Sequence, residues 1–111
     1  PLPKGLKIAV VGPHMNATTT LLGNYRGRRC PSGRDKDCVM TPLTAISQAN
    51  TGGTIVSALG CHVDGPWENI SEAKEVSATA DIIIILVGLD RSQEDEGKDR
   101  VETTLPGHQI A

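Results

Sequence analysis

Residues Ile82 to Val87 read Ile-Ile-Ile-Ile-Leu-Val, an unbroken aliphatic run. Successive strand residues point to opposite faces, so this run is apolar on both and needs cover on both. It is strand-sized, far short of the ~20 residues a membrane-spanning helix requires. The run therefore predicts a central strand of a parallel sheet with helices above and below it. Leu6 to Val11 (Leu-Lys-Ile-Ala-Val-Val) and Thr54 to Leu59 (Thr-Ile-Val-Ser-Ala-Leu) predict two further strands. The first is stopped by Gly12-Pro13, a residue free to adopt unusual backbone angles followed by one that cannot donate to a ladder.

Helical patterns separate these strands. Thr41-Pro42 reads as an N-cap with proline at the first helical position, followed by Leu43, Ile46 and Ala49 as a stripe and Gly52-Gly53 as a stop. A second helix is predicted from Ile70 to Thr79, with Ile70, Ala73, Val76 and Ala80 on one face. Asn16 to Leu22 predicts a short helical turn closed by Gly23. Leu105-Pro106-Gly107-His108-Gln109 predicts the opening of another helix, with Pro106 in its first turn. The alternation gives an α/β class: a three-layer sandwich on a mainly parallel sheet with right-handed crossovers. Residues 1–5, rich in proline and glycine, read as an interdomain linker. Tyr25 and Trp67 are the only aromatic residues apart from histidines, so the core must come from Val, Ile, Leu and Ala.

In such sheets binding groups gather on the loops past the carboxyl ends of the strands. Those loops open at Gly12, Gly60 and Gly88, and residues 23–40 and 88–104 are long for their class. A net charge of −2 and 2% aromatic residues give neither the electrostatic footprint nor the stacking platform of a nucleic-acid binder. Gly12-Pro13-His14 lacks the glycine pattern of a phosphate loop, which argues against a nucleotide-binding half-domain. His14, His62 and His108 are scattered and no Cys-x-x-Cys pair exists, so no metal site is expected. His14 and His108 read as hydrogen-bonding or packing residues, His62 as a surface residue and Trp67 as a loop anchor.

Cys30 and Cys38 bracket a polar stretch and form a candidate disulfide; Cys30–Cys61 is the alternative pairing. Asn16-Ala17-Thr18 and Asn69-Ile70-Ser71 are glycosylation sequons, which point to a secreted protein or one of a lysosome- or vacuole-like compartment. The segment from Gly88 to Arg100 carries five carboxylates and three bases. Crowded like charges raise a carboxyl pKa, which suits a glutamate there to general acid work; a solvated, charge-mixed loop is the alternative. Gly97 after Glu96 allows close backbone approach to a ligand. Asn24 and Tyr25, flanked by glycines, pair an amide with an aromatic face, as sugar sites do.

Several motifs follow one another in order: Lys7-Ile8-Ala9-Val10-Val11-Gly12-Pro13, Leu22-Gly23-Asn24-Tyr25-x-Gly27, Thr41-Pro42-Leu43, Gly60-Cys61, Val87-Gly88-Leu89-Asp90-x-Ser92-Gln93-Glu94-x-Glu96-Gly97-x-Asp99-Arg100 and Leu105-Pro106-Gly107-His108-Gln109. Together they resemble the C-terminal α/β-sandwich domain of glycoside hydrolase family 3, in its β-xylosidase, α-arabinofuranosidase and β-glucosidase branch. The resemblance implies that residues 6–111 are the first half of that domain. It implies an exo-acting retaining β-glycosidase without a cofactor, whose pocket is shared with an N-terminal barrel carrying an Asp nucleophile. Glu96 falls at the acid/base position, with Glu94 as runner-up, and Tyr25, next to the substrate-binding candidate Asn24, falls near the leaving-group subsite. Asp99 and Arg100 would hold the loop in shape. The substrate implied is a β-linked oligosaccharide or glycoside, and the isolated chain is expected to be inactive and prone to aggregate. A non-catalytic carbohydrate-binding or assembly module of the same fold is the competing expectation.

Overall fold

The structure, a computed structural model, describes residues 3–23, 25 and 27–111. Three strands, β1 (Lys7–Val11), β2 (Thr54–Ala58) and β3 (Ile82–Ile85), form one parallel sheet in the order β2-β1-β3. Ile8 of β1 stands opposite Ile55 of β2 and Ile82 of β3. β1, not β3, is therefore the central strand among the described residues. Its Ala9 and Val10 are wholly buried, whereas β3 pairs on one side only. The aliphatic run of β3 leaves Ile83 at 49% and Ile85 at 64% exposure, with Val87 beyond the strand also exposed. Being apolar on both faces describes what β3 needs, and here only one of its faces is covered.

Alternation along β1 sorts the two faces. Ile8 and Val10 meet Met15, Leu43 and Ile46 of α1 (Pro42–Ala49), Ile84 and Leu86. On the other face α2 (Ile70–Ser77) turns Ile70 and Ala73 towards Val11, and it leaves an apolar groove running to Ile83 and Ile85. The layers are thus α1, sheet and α2, as the α/β reading requires. At α1 the N-cap forms as expected, the Thr41 Oγ1 accepting the Thr44 N–H at 3.1 Å. Its end differs: the helix stops at Asn50, before the two glycines. The buried Asn50 amide accepts from the Leu6 N–H at 3.2 Å and donates to the Leu6 carbonyl at 2.7 Å. Gly53 is needed beside it, since a Cβ there would lie 2.3 Å from both Asn50 Nδ2 and the Leu6 oxygen.

α2 begins with Asn69, whose side chain accepts from Glu72 N–H, and ends at Ser77, two residues earlier than expected. The Asn16–Leu22 turn narrows to a 3-10 helix at Thr19–Leu22. Within residues 23–40 a second short 3-10 turn, Asp35–Asp37, sits inside a ring closed by a Cys30–Cys38 disulfide. Cys61 is buried and free, so the Cys30–Cys61 pairing does not form. No helix opens at Leu105. Residues 107–110 make turns, because Gly107 takes a φ of +58°, a left-handed angle that a helix cannot carry on from. Among the described residues no helix is long and apolar enough to cross a membrane.

Candidate active site

The strand order sets where a site can form. From β1 the chain runs to β2 on one side, and from β2 it crosses back over β1 to β3 on the other. The ends of β1 and β3 are therefore the point where the order reverses and a crevice opens. The two loops that leave there are stitched at their roots. Leu86 N–H donates to the Val11 carbonyl (2.8 Å) and His14 N–H to the Leu86 carbonyl (3.1 Å). Gly12 permits this approach: its φ is +111°, and a Cβ would lie 2.4 Å from the Leu86 oxygen.

Beyond the roots the loops part around an open concavity of about 420 Å³. Thr19, Thr20 and Gly23 line one side. Asp90, Arg91, Glu94, Asp95, Glu96 and Asp99 line the other, so five carboxyl groups face one guanidinium. The acidic segment is ordered by its own charges. Asp90 Oδ1 accepts the Ser92 N–H (2.8 Å) and its carbonyl accepts from Gln93 and Glu94, closing a turn. Asp95 and Lys98 exchange backbone hydrogen bonds (3.0 and 2.9 Å), so Glu96 and Gly97 occupy the tip of a tight turn. Gly97 has a φ of +75° with nothing within 4 Å of a Cβ, so the turn itself requires the glycine. Close ligand approach is not needed to explain it.

Crowding does not act alone on these carboxyls. The Arg91 guanidinium, donating to Asp95 Oδ2 at 2.8 Å, and then the Glu96 N–H hold the Asp95 carboxyl below the usual range. The Gly65 N–H and then the Gln93 amide do the same for Asp64. Both shifts run opposite to the rise expected for a proton-holding carboxyl. Glu94 and Glu96 are both exposed on the wall of the concavity.

Tyr25 is 86% exposed and does not line the concavity, and Asn24 lies outside the described residues. Arg100 shapes the loop, as the resemblance implies: its guanidinium donates to the Gln93 side chain (3.0 Å) and to the carbonyls of Glu102 (3.2 Å) and Thr104 (2.8 Å). Asp99 faces the concavity instead. His62 stacks on Trp67 with ring centroids 4.6 Å apart, and His108 Nδ1 lies 3.6 Å from Glu68 Oε2. His14 packs against Gly88, and its Nε2 is buried with no hydrogen-bond partner among the described residues. Among the described residues no group of three or more His, Cys, Asp or Glu side chains is placed to hold one metal ion.

Sequence reasoning assigned no role to Asp35, Gln93 or Gln109. Asp35 is buried and accepts from Thr19 Oγ1 at 3.2 Å, joining the disulfide ring to the concavity wall. The two glutamines lie inside the Val87–Arg100 and Leu105–Gln109 motifs, and that placement is the one signal pointing to them.

Known proteins resemble this chain throughout. Residues 1–111 match the family described as "Glycosyl hydrolase family 3 C-terminal domain". Beta-D-xylosidase 3 of Arabidopsis thaliana is 39% identical over 110 residues, covering 96% of this chain and 13% of that protein. A probable exo-1,4-beta-xylosidase, xlnD, of Aspergillus japonicus is 35% identical over 108 residues, covering 96% and 12%. A solved GH3 exo-beta-xylosidase (XlnD), in complex with a xylobiose aziridine activity-based probe, superposes with a TM-score of 0.81 at 34% identity, covering 99% of this chain and 13% of that one. The chain thus spans about an eighth of the length of the relatives it matches. With sequence and fold in agreement from the first strand to the last turn, the chain belongs to glycosyl hydrolase family 3, in its C-terminal domain.

Proposed function

We propose that this chain is the part of an exo-acting, retaining β-glycosidase that brings the acid/base carboxyl to a site shared with a barrel domain. The observation that carries the reading is Glu96 at the tip of a tight turn, on the wall of a concavity at the reversal point of the sheet. The similarity to xylosidases favours β-linked xylosides as substrate, with β-glucosides as the wider class. Glu96 protonates the leaving glycosidic oxygen as its bond to the anomeric carbon breaks, while an Asp from the barrel bonds to that carbon. Glu96 then takes a proton from the water that displaces the Asp. Retention needs the two carboxyl groups about 5–5.5 Å apart, so neither domain works alone and the isolated chain is inactive.

In this reading residues 1–5 link the two domains and residues 6–111 form the first half of the sandwich. The exposed Tyr25 ring and the Asn24 amide serve the leaving-group subsite. The exposed Asn16 and Asn69 carry glycans, and with the Cys30–Cys38 disulfide they fit a secreted or vacuole-like location.

The test is made in the full-length enzyme. Glu96→Gln is expected to lower turnover of an unactivated xyloside by about 10²–10⁴-fold, the usual contribution of a positioned acid/base. Azide should then accelerate an activated aryl xyloside and yield the β-xylosyl azide. If Glu94→Gln alone shows this signature, the role passes to Glu94. If neither does while oligosaccharide binding persists, the non-catalytic module is the correct reading.

A further inference from the structure

Gln109 makes three hydrogen bonds with one side chain. Its Oε1 accepts the Gly88 N–H at 2.8 Å, and its Nε2 donates to the Gly88 carbonyl at 2.9 Å and to the Val63 carbonyl at 2.7 Å. The amide thus satisfies both polar groups of the first residue of the acidic loop, as a neighbouring strand would, and joins it to the loop after β2. Gln93 makes the companion link from inside the acidic loop, its Nε2 donating to Asp64 Oδ2 at 3.0 Å. Val63 and Asp64 are adjacent, so two glutamines fasten the root and the middle of the acidic loop to one point. Gly107 makes room for this: a Cβ there would lie 3.1 Å from the Asp64 Cα. The turn of Leu105 to Gln109 therefore lies against the anchor and delivers the Gln109 amide to Gly88.

We propose that Gln109, seconded by Gln93, is a positioning residue that sets where the Glu96 turn stands relative to the sheet. This rests on the reading of Glu96 as the acid/base group. An acid displaced by about 1 Å loses up to about 10²-fold in rate, although its chemistry is intact. The loss falls only on steps that need the proton.

The experiment compares two substrates in the full-length enzyme: an alkyl xyloside, whose leaving group must be protonated, and a dinitrophenyl xyloside, whose leaving group departs unaided. Gln109→Met keeps the length of the side chain and removes its hydrogen bonds. It is expected to lower kcat/KM for the alkyl xyloside about tenfold or more while leaving the dinitrophenyl xyloside within about twofold. An equal fall on both substrates, or no fall on either, would overturn the proposal. Glu96→Gln run alongside separates the two readings: if it shows no leaving-group dependence the acid/base assignment fails, and if it does while Gln109→Met shows none, only the positioning role fails. Should Gln109→Met not fold, Gln93→Leu must reproduce the same discrimination, and its failure to do so overturns the proposal equally.

Discussion

Residues 27–40 and 88–104 are loops of opposite charge balance, four bases against two carboxylates in the first and three against six in the second. The first backs one wall of the concavity through the Asp35–Thr19 contact and the second lines the other wall, yet different physics orders them. The first is held by a covalent bond. Cys30 and Cys38 close a ring around the Asp35–Asp37 turn, Asp35 is buried against Thr19, and Arg34 pairs with Asp37 at 3.0 Å. The second has no cross-link among the described residues. It is built from an Asp90 turn, an Arg91–Asp95 pair, the Arg100 fork and two glutamine amides. A ring closed by sulfur does not respond to solvent ions or protons, whereas a loop closed by charge-assisted hydrogen bonds responds to both. The wall with the proposed acid is thus the adjustable one.

The largest expected effect removes the covalent half of the contrast. Cys38→Ser opens a short ring, and chain-entropy arguments put such a closure at about 2–3 kcal/mol. Faster amide exchange across 30–38 is expected, with Glu96 and Gln93 unchanged. Equal acceleration in both loops would show that they order each other. Next is Arg100→Met. It leaves the carbonyls of Glu102 and Thr104 and the Gln93 side chain without their donor, and charged hydrogen bonds contribute about 2 kcal/mol. Exchange should now rise across 93–104 and stay fixed across 30–38. Protection retained in the acidic loop would mean that the Arg100 fork does not hold it.

The same contrast explains what could be read from the residues alone. Strands β1 and β2 and the Thr41 cap were legible because periodicity and capping are local properties. The central place given to β3 was not, because six aliphatic residues state a need for cover and say nothing of which strand supplies it. The close of α1 at Asn50 escaped for a related reason: a polar residue inside a helix pattern gives no sign that Leu6, forty-four residues away at the entry to β1, will claim its amide. In the concavity, composition marked the acidic segment and Gly97, and the family resemblance singled out Glu96 within it. Gln109 did not, because its worth lies in reaching Gly88 and Val63, which the chain brings near only by folding.

Gly97→Ala comes third in size. The φ of +75° costs a residue with a Cβ about 1 kcal/mol, and no neighbour stands in the way of the added methyl group. The penalty should fall on the Asp95–Lys98 turn alone, read as faster exchange of the Lys98 amide, with global stability nearly unchanged. A global loss of more than that amount would place Gly97 in contacts beyond its own turn.

The smallest effect is acidification, and its sign follows from the direction of the two shifts. Asp95 is held down by Arg91 and then the Glu96 N–H, and Asp64 by the Gly65 N–H and then Gln93. A carboxyl whose folded pKa lies below its unfolded value adds order that is fully present above the unfolded value, about 3.9 for aspartate. That order drains away as pH falls through the folded value. The Asp95 turn and the Gln93–Asp64 link should therefore hold steady from neutrality to about pH 5 and loosen below about pH 4, while the Cys30–Cys38 closure has no proton to gain. Asp64 is solvent-exposed and Asp95 only half-buried, so the change is small and shrinks further in molar salt. Amide shifts of Glu96 and Gln93, followed by NMR between pH 6 and pH 2.5, measure it. Midpoints at or above 3.9 would mean that Arg91 and Gln93 do not engage these carboxylates in solution, and the contrast between a sulfur-closed and a charge-closed loop would lose its second half.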